Sequence, residues 1–126
     1  MKDALGKIVL IGVGLIGGSL MLDLKRRQQA GTVVGIDINA DNLARALERR
    51  VIDEAHTEIT ADNIAQADLV ILATPVATLP SLCRLLSPHL PPHTVVSDVG
   101  STKQSALAAF SCYLPQHFPR CVAAHP

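Results

Sequence analysis

Three stretches of the 126-residue chain hold residues whose types and spacing suit chemistry. In the first, Gly12-x-Gly14-x-x-Gly17 follows the apolar run Ile8-Val9-Leu10-Ile11 and leads straight into a helix pattern. Such a turn offers main-chain N–H groups at a helix start, where unpaired donors and the helix dipole favour an anion. Gly12 allows the tight strand-to-turn geometry, Gly14 lets backbone approach a pyrophosphate, and Gly17 lets the helix lie close to the sheet. Twenty residues after Gly17, Asp37 closes a second apolar run, Val33-Val34-Gly35-Ile36. A carboxylate at that point can accept from both adenosine ribose hydroxyls of a dinucleotide. The glycine pattern alone is a weak signal; strand before, helix after and acid at this distance make it specific. Val13, Leu15, Ile16 and Ile38 join the glycines and Asp37 as candidate cofactor contacts. Asp37 would repel a 2′-phosphate, and the first arginine beyond it is Arg45, so NAD is favoured over NADP.

The second stretch is Ser97-Asp98-Val99-Gly100-Ser101-Thr102-Lys103, at the end of another apolar run. A polar cluster at a strand mouth suits the nicotinamide half of a dinucleotide crevice. Ser101-x-x-Gln104 is also a capping box for the next helix, and a cap residue can contact substrate as well. The third is His125, which directly follows the apolar Cys121-Val122-Ala123-Ala124 and so lies at the same mouth as Ser101. His56, His89, His93 and His117 read as surface residues. His89 and His93 are four apart, but Pro91-Pro92 breaks any helix between them, so no metal pair is expected.

The elements that must position these residues alternate between strand and helix. Strands are predicted at Lys7–Ile11, Thr32–Asp37, His56–Ile59, Asp68–Ala73, Thr94–Asp98 and Cys121–Ala124. Helices are predicted at Leu15–Gln29, at Ala40–Arg50 behind an Asn39 cap, and at Ala61–Ala67 behind Thr60. Another opens at Thr74-Pro75, as cap and first-turn proline, and fades before Pro88. A last one runs from after Gly100 to about Tyr113, followed by a loop over Pro115–Pro119. Lys25, Arg26 and Arg27 read as a solvated helix end. The alternation predicts a Rossmann-type α/β domain: a doubly wound, mostly parallel sheet with helices on both faces.

Composition fits one such domain. The chain is 48% hydrophobic but has no Trp, one Tyr and two Phe, so its core is aliphatic and base stacking is not expected. Eleven basic and eleven acidic residues cancel, which argues against nucleic acid or anionic membrane as a partner. The apolar N-terminal stretch is interrupted by glycines and followed by charges, so neither a signal peptide nor a membrane span is expected. Three cysteines without CxxC spacing read as inert core thiols in a reduced, cytoplasmic setting.

Gly-Leu-Ile-Gly-Gly-Ser-Leu at 14–20, Asp-Val-Gly-Ser-Thr-Lys at 98–103 and the closing His-Pro at 125–126 together resemble the prephenate/arogenate dehydrogenase family. Val51-Ile52-Asp53-Glu54 and Ala73-Thr74-Pro75-Val76 are similar to that family too. The resemblance implies NAD-dependent oxidative decarboxylation of prephenate to 4-hydroxyphenylpyruvate, or of arogenate to tyrosine, in tyrosine biosynthesis. It implies that His125 takes the proton of the ring 4-hydroxyl and that Ser101 orients that hydroxyl or His125. Lys103 would lie near substrate or cofactor, while Thr74, Pro75, Val76 and Gly100 would line the cofactor. The family has a helical, dimer-forming domain beyond His-Pro, so residues 1–126 read as the N-terminal cofactor domain of a longer, homodimeric enzyme that acts on a small molecule. Ala123 stands where the family often has Gly. Two other readings are the cofactor domain of another dehydrogenase or imine reductase, for which Asp98–Lys103 and His125 would be coincidental, and a nucleotide-sensing module without chemistry.

Overall fold

The computed structural model describes residues 5–27 and 30–123, with the backbone alone at positions 5, 15–18, 20 and 30. The apolar runs become parallel strands: β1 (Leu5–Ile11), β2 (Ala30–Ile36), β3 (Glu54–His56), β4 (Leu69–Leu72), β5 (Val95–Asp98) and β6 (Cys121–Ala123). They join in one sheet in the order β3-β2-β1-β4-β5-β6, every neighbouring pair parallel. Five α-helices fill the crossovers among the described residues: α1 (Leu15–Arg26), α2 (Ala40–Glu48), α3 (Ala61–Ile64), α4 (Leu79–Leu86) and α5 (Lys103–Tyr113). The order reverses between β1 and β4, as in the doubly wound sheet expected, and in such sheets ligands bind at that point, beyond the strands' carboxyl ends.

Strand side chains alternate between faces, and here both faces are covered, which is why the strands read as unbroken apolar runs. Ile8, Leu10, Val33 and Ile71 pack against Met21 of α1 and Leu43 and Ala46 of α2. Val9, Ile11, Val34, Val70, Leu72 and Val96 meet Ile64, Leu79, Leu86 and Phe110 on the other face. In register, Ile11 pairs with Leu72 and Leu72 with Asp98, so β1, β4 and β5 end side by side.

Several elements differ from their predicted bounds for local reasons. β3 begins at Glu54, earlier than His56, because Asp53 is clamped to β2: its N–H donates to Val33 O at 2.7 Å and its Oδ2 accepts from Val33 N at 2.8 Å. The Thr60 helix stops at Ile64, short of Ala67. Its cap is a full box in which the Thr60 hydroxyl accepts from Asn63 N and Asn63 Oδ1 accepts from Thr60 N. Thr74 caps no helix. Pro75 is extended (ψ 148°), a 3-10 turn covers Val76–Thr78, and α4 begins only at Leu79, with Pro80 in its first turn. The predicted loop at Pro115 is a 3-10 helix over Pro115–Arg120.

Three side-chain expectations also change. Lys25 is no loose solvated cation, since its Nζ lies 3.0 Å from both Arg50 O and Asp53 Oδ1. The thiols are not all core: Cys83 is buried and pushed up to about 12, half-buried Cys121 is raised to about 11 by burial, and Cys112 is exposed. His117 is only half exposed and bonds the Thr94 carbonyl through Nε2.

Asp68 ties the central strands together at their amino ends. Its Oδ2 accepts the Gly6 N–H at 2.8 Å and the Lys7 N–H at 3.1 Å, and His93 Nε2 stands 3.4 Å from Oδ1. The Lys7 N–H, helped by Gly6 and His93 and opposed by burial, holds the carboxyl below its ordinary value of 3.8. The stability this adds is complete above that ordinary value and lost as pH falls through the lower folded-state value. Asp68→Asn is therefore expected to cost about 1 kcal/mol at neutral pH, after discounting for solvent screening, and to flatten the acid limb of the stability curve. Urea melts between pH 6 and 3 measure this. An unchanged acid limb would exclude Asp68 as a contributor.

Candidate functional site

Gly12 stands where β1 ends, with φ +92° and its N–H donating to Ile36 O at 2.8 Å. A Cβ there would lie 2.8 Å from both Ala73 O and Thr74 Cγ2, so the bare backbone lets β1 and β4 finish against each other. Two residues on, Gly14 precedes the first turn of α1, which has no side-chain cap and no acidic residue. A Cβ on Gly14 would meet nothing within 4 Å. The helix start thus keeps free donors beside open space, as a phosphate group requires. Leu15, Ile16 and Gly17 lie in this first turn.

Asp37 follows β2 and leans back onto the same turn. Its Oδ2 accepts the Val13 N–H at 3.1 Å and its Oδ1 accepts the Asn39 N–H at 2.9 Å. The carboxylate and the glycine turn predicted to share one ligand are therefore in direct contact. Asn39 caps α2 as expected, its Oδ1 accepting from Asn42 N at 3.0 Å. Ile38 is 93% exposed beside Asp37, an apolar surface that the core does not use.

On the other side of the switch point, Thr74 is half-buried, while Pro75 and Val76 are exposed beyond β4. A Cβ on Gly100 would lie 2.8 Å from Thr74 O, so the loops after β4 and β5 also abut. Ser101 is 4% exposed; its N–H donates to Asp98 Oδ2 at 2.9 Å, and its hydroxyl has no hydrogen-bond partner among the described residues. A buried hydroxyl without a partner costs free energy that a ligand or neighbouring group would recover. The capping box expected at Ser101 is not formed. Thr102 caps α5, its Oγ1 accepting from Ser105 N at 3.2 Å, and this leaves the Ser101 hydroxyl unspent. Asp98 is fully buried, on the side of β5 that carries Val96. Lys103 is exposed at the start of α5, and His125 lies outside the described residues. No group of three His, Cys, Asp or Glu suited to a metal occurs among the described residues.

Sequence reasoning passed over Asn42 and took Arg45 only as the first arginine beyond Asp37. Arg45 Nη2 lies 2.6 Å from Asn42 Oδ1, and Asn42 Nδ2 lies 3.4 Å from Asp37 Oδ2. The position of Asn42, three residues after the Asn39 cap, was the available signal. It meant something only once α2 was seated over Asp37.

Comparison with known proteins bears on this arrangement. The family model described as prephenate dehydrogenase, nucleotide-binding domain, matches residues 20–126. The chain belongs to the prephenate dehydrogenase family. Bacillus subtilis prephenate dehydrogenase is 36% identical over the whole of this chain, which spans 33% of that protein. The A. aeolicus prephenate dehydrogenase, solved in complex with hydroxyphenyl propionate and NAD+, superposes with a TM-score of 0.85 at 31% identity, covering 98% of this chain and 42% of that one. Synechocystis arogenate dehydrogenase gives a TM-score of 0.74 at 33% identity, covering 85% of this chain and 37% of its own. This prephenate dehydrogenase family chain thus spans well under half the length of these relatives. Among its described residues no helix is long and apolar enough to cross a membrane.

Proposed function

We propose that this chain is the NAD-binding domain of a cytoplasmic, homodimeric dehydrogenase that oxidatively decarboxylates prephenate or arogenate. The observation that carries the reading is the Val13–Asp37 contact, which makes the glycine turn and the ribose-reading acid one site. Gly14 leaves room for the pyrophosphate, and the uncapped start of α1 supplies its donors. Asp37 accepts from the adenosine ribose and disfavours a 2′-phosphate, so NAD is preferred to NADP. Ile38 offers the adenine an apolar surface, and Thr74, Pro75, Val76 and Gly100 line the path toward the nicotinamide end.

Bound NAD supplies a hydride acceptor, and hydride loss together with loss of the ring carboxylate as CO2 leaves an aromatic product. The protein's part is to hold a proton acceptor where the ring hydroxyl sits. His125, two positions along the sequence from the end of β6, takes that proton as a neutral imidazole. The Ser101 hydroxyl, buried and unspent at the neighbouring strand mouth, orients the hydroxyl or His125. Lys103 stands at the rim as a cation for an anionic substrate. An additional helical domain after residue 126 would complete the substrate pocket and the dimer.

In calorimetric titration the chain is expected to bind NAD weakly, with a dissociation constant on the order of a millimolar, and to turn over neither prephenate nor arogenate. Absence of any heat or melting shift at several millimolar NAD would refute the cofactor reading.

A further inference from the structure

A carboxylate offers about four lone-pair directions, two on each oxygen. In Asp37 most are taken: Oδ1 accepts from Asn39 N, and Oδ2 accepts from both Val13 N and Asn42 Nδ2. One direction remains, on Oδ1. While these contacts hold, Asp37 can serve one ribose hydroxyl, not the two expected of it from sequence.

Asn42 is the side chain placed to serve the other. Its Oδ1 accepts from Arg45 Nη2 at 2.6 Å, a short charge-assisted bond that fixes which way round the amide lies. The NH2 is thereby turned toward Asp37, with Nδ2 3.4 Å from Oδ2. An amide NH2 has two N–H bonds, and Asp37 uses only one. Asn42 is half-buried in the capped first turn of α2. With Val13, Gly14, Arg45 and Arg49 it lines one cavity of about 270 Å³ that borders the phosphate turn.

We propose that Asn42 is a second ribose-reading residue, donating its free amide N–H to one adenosine hydroxyl while Asp37 accepts from the other. Arg45 acts through it, as a positioning residue that keeps the amide in the donating orientation. This rests on the dinucleotide reading above and deepens it.

The test is titration of the chain with NAD and with its 2′-deoxyadenosine and 3′-deoxyadenosine analogues. The unaltered chain is expected to bind NAD more tightly than either analogue. Asn42→Ala should weaken NAD about tenfold yet leave one analogue within about twofold, because that analogue already lacks the hydroxyl Asn42 reads. Arg45→Met should give the same selective pattern with a smaller loss. Arg120→Met, which removes an exposed arginine outside this cavity, should stay within about twofold for all three ligands. An equal loss for all three with Asn42→Ala means a framework role and overturns the proposal, as does unchanged or tighter NAD binding. If the unaltered chain binds none of the three, the dinucleotide reading itself fails and this proposal with it. If it binds and discriminates but Asn42→Ala changes nothing, the proposal alone fails.

Discussion

Gly12→Ala is expected to lower the melting temperature by roughly 10–20 °C, a loss of about 3–5 kcal/mol. Two costs add. At φ +92° an L side chain is strained, by about 1–3 kcal/mol. The new methyl would also lie 2.8 Å from Ala73 O and 3.0 Å from Ala73 C, which are backbone atoms of the adjoining strand end and cannot rotate aside. Overpacking of that kind costs a further 1–3 kcal/mol or so. Against a total of about 5–15 kcal/mol this is a large share. Gly14→Ala is the informative contrast. Its φ is −72° and nothing lies within 4 Å of the added atom, so the fold should melt near the unaltered temperature. The methyl would instead stand in the space left for the pyrophosphate, and NAD affinity should fall by about tenfold or more. Thermal melts paired with NAD titrations separate the two glycines. Equal melting losses would mean that Gly14 is kept for packing and not for ligand approach.

The parallel sheet was legible because a two-sided buried strand has a plain signature, and Ile8–Ile11 and Leu69–Leu72 show it. The glycine turn and Asp37 were legible for a different reason: their spacing encodes a backbone path. What stayed hidden depended on choices between near-equal local signals. Ser101-x-x-Gln104 and Thr102-x-x-Ser105 are both plausible caps. The buried Asp98 decides between them by taking the Ser101 N–H, which leaves the helix to begin one residue later. Pro75 and Pro80 are both suitable first-turn prolines, and the extended Pro75 backbone gives the role to Pro80. Asp98 was partly readable, since a two-residue period places it on the face of Val96, inside the core. The Asp37–Asn42–Arg45 chain was not readable. It needs α2 seated against the β1–α1 turn, and no local pattern specifies that contact.

Asp37→Ala should weaken NAD binding by about thirtyfold and shift the NAD-to-NADP affinity ratio by about a hundredfold toward NADP. The first effect is the loss of a charged acceptor for the ribose, worth about 2 kcal/mol. The second adds relief of repulsion, because a 2′-phosphate brings a charge of about −1.5 to −2 toward a carboxylate. With Asp37 gone, a cation is already in line: Arg45 stands one residue behind it, through Asn42, and would become an attractive partner for that phosphate. Asp37 also holds the Val13 and Asn39 N–H groups, so some of the loss could come from a loosened turn. Asp37→Asn separates the two causes. It keeps one acceptor oxygen for the turn but removes the charge, so it should move the cofactor ratio nearly as far as alanine with a smaller loss of NAD affinity. Competitive titration of both variants with NAD and NADP measures the ratio directly. A ratio unchanged in both, with NAD still bound, would mean that the ribose is recognised elsewhere and that the carboxylate serves only to brace the glycine turn.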